Sequence, residues 1–114
     1  MPYRLTAIAL EDLQRIHAYS TQQWGPERAR AYIEDFYRVF DALAKAPDRD
    51  LSRRKRSHPY QMRPCGSHFI VYELLGAIVV IHAMPHQSRD VERHLTRLAP
   101  RFRKVIAAIR HEAE

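Results

Sequence analysis

The hydrophobic period changes several times along the chain, and each change marks an element. Residues 3–8 (YRLTAI) alternate as a short strand does, with Tyr3 and Leu5 facing one side. The period then becomes three and four. Leu10, Leu13, Ile16, His17, Ser20 and Trp24 share a face while Glu11, Asp12, Gln14 and Arg15 fall elsewhere, which predicts an amphipathic helix over 9–23 with an acidic first turn. Trp24-Gly25-Pro26 is a stop and a restart, because glycine can close a helix and proline suits the first turn of the next. The second helix runs over 26–45 with Ala29, Tyr32, Ile33, Phe36, Phe40 and Leu43 on one stripe, and Ala46-Pro47 ends it. Two helices joined this tightly form a hairpin.

Residues 48–58 (DRDLSRRKRSH) are polar and dense in charge, as in an exposed loop. Three apolar runs follow, over 60–64, 68–75 and 77–84, separated at hairpin distances by Cys65-Gly66-Ser67 and by Gly76. They predict a three-stranded meander. The last two runs are apolar at consecutive positions, which a strand tolerates when both its faces are covered. Ser88-Arg89-Asp90 can start another helix, with Val91, Leu95 and Leu98 as its apolar edge until Pro100 interrupts. Beyond it, Phe102, Val105, Ile106 and Ile109 form an amphipathic stripe. That stripe needs cover from its own domain, a second copy or another protein. The expected class is α+β: an N-terminal strand, a helical hairpin, a three-stranded antiparallel meander and C-terminal helices. The expected division is a domain over 1–98 and an amphipathic extension over 99–114.

A chain of 114 residues holds one compact domain. Its net charge of +6 is unevenly placed: the first 47 residues carry six basic and six acidic side chains, the remainder 13 and seven. The excess points to an anionic partner. One cysteine, Cys65, cannot form an internal disulfide, which suits a reducing cytosol. The N-terminus lacks the pattern of a secretory signal, and the apolar stretch over 74–81 is far short of the roughly 20 residues that span a bilayer. A cytoplasmic protein is expected.

Four stretches carry a resemblance: YRLTAIALEDLQRIHAYSTQQWG, PERARAYIEDFYRVFDALAKAP, GSHFIVYE and HQSRDVERHL. Their order, with DLxxIxxY, WGxxxAxxY, GSHxxxY and HxxRD, resembles the RelE/ParE toxin superfamily in its ParE-like branch. The resemblance covers residues 3–95 and leaves out everything from Arg97 onward. It implies the toxin of a bacterial type II toxin–antitoxin pair, neutralised by a cognate ParD-like antitoxin and needing no cofactor. Relatives of the ParE type are associated with poisoning DNA gyrase, those of the RelE type with cutting mRNA on the ribosome. The chain departs from the pattern at two places. Gln61 stands where ParE-like chains often have arginine, with Arg63 nearby, and Ala83-Met84-Pro85-His86 replaces an Arg-Ile-Leu-His stretch.

For a ribonuclease, the general acid, general base and cations would come from Arg63, His68, His86 and Arg89, with Tyr72 on the same strand face as His68. His82 and His86 sit roughly 13 Å apart if both lie on a strand, too far to share a metal. No metal site is expected. Arg53, Arg54, Lys55 and Arg56 form the sharpest cationic run, suited to an acidic antitoxin segment. No aromatic residue interleaves with the run, so specific nucleic-acid binding is not expected. Trp24, Tyr32 and Phe36 mark the apolar side of the hairpin on which an amphipathic antitoxin tail would dock, together with an open sheet edge. Protein binding to gyrase is the leading reading. The alternatives are a ribosome-dependent endoribonuclease and a non-toxic relative that keeps antitoxin binding. Self-association or a heterotetramer with antitoxin fits the amphipathic tail.

Overall fold

The computed structural model describes residues 2–45 and 60–113, so the cationic run from Arg53 to Arg56 lies outside the described residues. Strand β1 (Tyr3–Leu5) leads into helix α1 (Ala7–Trp24), and α2 (Pro26–Lys45) folds back on it. Then come β2 (Gln61–Cys65), β3 (His68–Leu75), β4 (Ile78–Ala83) and a long α3 (Val91–Ala113). The sheet has the order β1-β4-β3-β2, with β1 parallel to β4 and the other pairs antiparallel.

Thr6 ends β1 earlier than the alternation predicts. Its hydroxyl accepts from the Ala9 N–H at 3.1 Å and donates to the His82 carbonyl at 3.1 Å, so it caps α1 while tying it to β4. Starting at Ala7, α1 has no acidic side chain in its first turn, and the expected acidic start is displaced to the second. Gly25 takes φ of +89° between the helices, and its N–H closes onto the Thr21 carbonyl at 2.9 Å.

The hairpin covers one face of the sheet. Leu13 and Ile16 of α1 and Phe36, Phe40 and Leu43 of α2 pack against Ile70, Tyr72, Val79 and Ile81. Helix α3 covers the other face: Leu95 and Phe102 meet Tyr60, Val71 and Ala83, while Ile106 and Ile109 meet Val80. The consecutive apolar residues of β3 and β4 therefore have cover on both sides, and the C-terminal stripe is buried within its own domain. Arg4 of β1 and Glu112 near the end of α3 pair at 2.8 Å.

Pro100 does not interrupt α3. The helix continues from Val91 to Ala113 with proline inside it. An interior proline costs about 3 kcal/mol, and fully buried side chains lie on both sides of it, Leu95 before and Phe102 after. Burying two such side chains contributes about 1.5–3 kcal/mol each. Packing onto the sheet thus outweighs the missing backbone bond.

Candidate functional site

A two-residue turn, Gly66-Ser67, joins β2 to β3, and α2 lays Tyr32 on top of it. Gly66 has φ of +56°, and a Cβ there would lie 2.3 Å from Cε1 of Tyr32. Only glycine allows the ring this close. The Tyr32 hydroxyl accepts from the Ser67 N–H at 2.9 Å and is hydrogen-bonded to Nδ1 of His68 at 2.8 Å, with the Cys65 carbonyl 3.5 Å away as a further acceptor. Burial lowers the His68 pKa to about 4, and the neighbouring His86, at 5.0 Å between ring centroids, pushes in the same direction. His68 is therefore neutral at physiological pH.

The segment leaving β4 is pinned to the same turn. Asp12 of α1 accepts from the Met84 N–H at 2.8 Å, and its carboxylate also pairs with Arg15. The Pro85 carbonyl accepts from the Phe69 N–H at 2.9 Å, and the Gln87 amide donates to the Gly66 and His68 carbonyls at 3.1 and 2.9 Å. Nδ1 of His86 accepts from the Ser88 N–H at 3.0 Å. Asp90 then caps α3 by accepting from the Arg93 N–H at 3.2 Å. The GSH and HxxRD stretches, 18 or more positions apart in the chain, build one corner of the molecule.

A groove of about 560 Å³ opens over this corner, between α1, the end of the sheet and the first half of α3. The fold brings Trp24, Tyr32, His68, His86 and Arg89 together on it. Trp24 is 48 % exposed and Tyr19 beside it 60 %, with ring centroids 6.5 Å apart. Trp24 also meets Tyr32 edge to face at 6.3 Å and carries the Arg28 guanidinium over its ring. Other expected residues are elsewhere. Arg63 belongs to β2, where it pairs with Ile70, and is not among the groove's lining. Phe36, expected at the partner surface, is fully buried in the core and has no surface to offer. Tyr72 is likewise fully buried.

The groove also contains side chains that periodicity did not single out: Glu11, Asp12, Arg15, Met84, His94 and Arg101. Asp12 had a signal in DLxxIxxY, and Leu98, expected on the apolar edge of the last helix, lines the groove as well. His94 and Arg101 had no signal, because their place depends on α3 folding back over the sheet end.

Nδ1 of His68 and of His86 each takes part in an internal hydrogen bond, and Arg63 stands off the groove. Its character is that of a receptor: exposed aromatic rings, an apolar floor at Ile16 and Met84, and arginines along one wall.

A strand, a helical hairpin and a meander whose first turn clasps Tyr32 define the class, a toxin domain of the RelE/ParE superfamily. Within it the chain belongs to the ParE toxin family, whose description is "ParE toxin of type II toxin-antitoxin system, parDE" and whose model matches residues 3–91. Toxin ParE1 of Caulobacter vibrioides is 33% identical over 94 residues, covering 82% of this chain and 97% of that protein. Toxin ParE1 of Mycobacterium tuberculosis is 27% identical over 95 residues, covering 82% and 96%. Among solved structures, a chain of the chromosomal ParDE system from P. aeruginosa superposes with a TM-score of 0.67 at 17% identity, over 75% of this chain and 95% of that one. At that identity the likeness is one of fold. At the Ala83-Met84-Pro85-His86 stretch β4 ends at Ala83, the Met84 N–H is held by Asp12, and contact with β3 resumes through the Phe69–Pro85 bond and an antiparallel bridge between His68 and His86.

Proposed function

We propose that this protein arrests growth by binding a protein target, DNA gyrase, and is silenced by a ParD-like antitoxin docked in the groove beside Trp24. The observation that carries the reading is the groove's exposed aromatic surface: Trp24 and Tyr19 stand open to solvent beside it, as a protein partner requires. His68 and His86, hydrogen-bonded to Tyr32 and Ser88, hold the corner in shape. A gyrase-directed role belongs to the cytoplasm. The cationic run Arg53–Arg56 adds an electrostatic contact to the antitoxin, and a heterotetramer of two toxins and two antitoxins is the proposed resting assembly.

The test combines induced expression with two biochemical assays. The expected outcome is growth arrest relieved by the antitoxin, inhibition of gyrase supercoiling by purified protein, and intact mRNA at ribosomes. Cleaved mRNA with supercoiling untouched would replace this reading with a ribosome-dependent endoribonuclease. Normal growth without antitoxin would replace it with a non-toxic binding relative, for which Gln61 and Pro85 at the two departures from the family pattern are the relevant observation.

A further inference from the structure

Helix α3 carries six Lys and Arg side chains against two Glu in its 23 residues. Its buried residues Leu95, Phe102, Ile106 and Ile109 lie on one side and meet the sheet. At about 100° per residue, Arg93, Arg97 and Lys104 fall within about 40° of one another on the opposite side, with Arg101 at their edge. All four are exposed. Their spacing is i, i+4, i+8 and i+11, so a rise of about 1.5 Å per residue strings four positive charges along about 17 Å. Little counter-charge meets this stripe. Glu112 is paired with Arg4, and Arg93 meets Asp90 at 3.7 Å with both side chains open to solvent. Glu11 and Asp12 line the groove that Arg101 borders and temper its charge. Arg97 and Lys104 stand outside that lining and have no carboxylate partner among the described residues.

We infer that the outer face of α3 binds the phosphate backbone of duplex DNA, without reading its sequence, through Arg93, Arg97, Arg101 and Lys104. The inference goes beyond the gyrase and antitoxin readings and stands without either. A protein partner would need aromatic or aliphatic anchors, and none of the exposed large hydrophobic residues is on α3. A membrane surface would need the helix's apolar side, which the sheet already holds. Single strands are held by stacking on aromatic rings, and the one aromatic of α3, Phe102, is fully buried. Duplex RNA is recognised through its 2′-hydroxyls, for which this stripe offers no hydroxyl or amide side chain. What remains is a rigid row of cations facing a regular row of anions. Duplex DNA presents about ten phosphates over the same 17 Å, and the small side chains of Pro100, Ala107 and Ala108 beside the stripe let a backbone approach closely. The pattern begins at the end of the family match, which covers residues 3–91, so it is a property of this chain's own last helix.

The test measures binding of the full-length protein, free of antitoxin, to fluorescently labelled DNA duplexes of two unrelated sequences by anisotropy over a series of salt concentrations. The variants are R97Q/K104Q and, as a control with the same change of charge on the outer side of α2, R30Q/R38Q, each checked for an unchanged melting temperature. The expected result is equal affinity for the two sequences, and for R97Q/K104Q a complex at least about tenfold weaker whose log–log salt slope is shallower by about 1.8, which is two phosphate contacts. The control keeps wild-type affinity and slope. Wild-type protein that does not bind duplex DNA, or equal weakening of both variants, overturns the inference. So does wild-type affinity of R97Q/K104Q alongside loss of binding in R53Q/R54Q/K55Q/R56Q, which would assign the contact to that run. An RNA duplex bound as tightly as DNA, or R97Q/K104Q that keeps its affinity for DNA and loses it for phosphatidylserine vesicles, overturns it too. None of these outcomes bears on gyrase inhibition or antitoxin binding, which are measured separately.

Discussion

Replacing Gly66 by alanine tests the contact on which the groove is built. The new methyl group would meet Tyr32 at 2.3 Å from Cε1, 2.5 Å from Oη and 2.8 Å from Cζ, all inside van der Waals contact. The ring must therefore move, giving up its bonds to the Ser67 N–H and to Nδ1 of His68. Left-handed backbone costs an L-residue about 1–2 kcal/mol, and an overpacked contact about 1–3 kcal/mol. Their sum, about 3 kcal/mol, is a large fraction of the 5–15 kcal/mol typical of a small domain. The two parts are separable. In a Tyr32→Leu background the clashing ring atoms are gone, so Gly66→Ala should cost only the backbone part, leaving a coupling energy of about 1–2 kcal/mol. Urea unfolding followed by far-UV circular dichroism, with the slope checked for constancy, measures all four proteins. A cost below about 1 kcal/mol in the wild-type background, or the same cost in both, would refute the argument that Tyr32 makes glycine obligatory here.

Four further outcomes are expected. The His68 pKa of about 4 lies below its ordinary 6.5, so its neutral form is favoured by folding. That stability is complete above about pH 6.5 and is lost as pH falls through 4. Allowing for solvent screening at a half-buried site it is about 1–2 kcal/mol, and unfolding curves of wild type and H68Q that run parallel from pH 7 to 4 would count against it. Phe102→Ala empties a fully buried position stacked on His82 at 4.3 Å and should cost about 3–5 kcal/mol; ending the chain at Leu98 should abolish cooperative thermal unfolding, and a truncated protein with a sharp transition would mean that α3 is dispensable. Asp12→Ala frees the Met84 N–H and should cost about 1–3 kcal/mol, with Asp12→Asn milder because an amide oxygen still accepts; equal costs in chemical denaturation would show that the hydrogen bond is not the cause.

How much could be read beforehand differs between fold and groove. The hairpin was legible because Leu13, Ile16, Phe36 and Phe40 repeat at spacings fixed by the helix itself, and Gly25-Pro26 punctuates them locally. The meander was legible from Gly66 and Gly76 between apolar runs. Pro100 misled, because the rule that proline stops a helix ignores how strongly Leu95 and Phe102 anchor the two sides. Phe36 misled as a partner contact because an aromatic on an apolar stripe looks the same from the sequence whether the stripe meets a sheet or a ligand.

The sequence by itself determined the order of the elements and the α+β class, since these rest on periods and punctuation within a few residues, while the family was legible as a resemblance in the order of short motifs spread over residues 3–95. Tertiary structure alone decided that Tyr32 meets His68, that Asp12 holds Met84, and that Arg89 and Arg97 converge on His94 beside a groove. The first two pairs are 36 and 72 positions apart, and strand register and helix docking set such meetings. The Arg89 and Arg97 pair is close in sequence, but its place against α1 depends on α3 crossing the sheet.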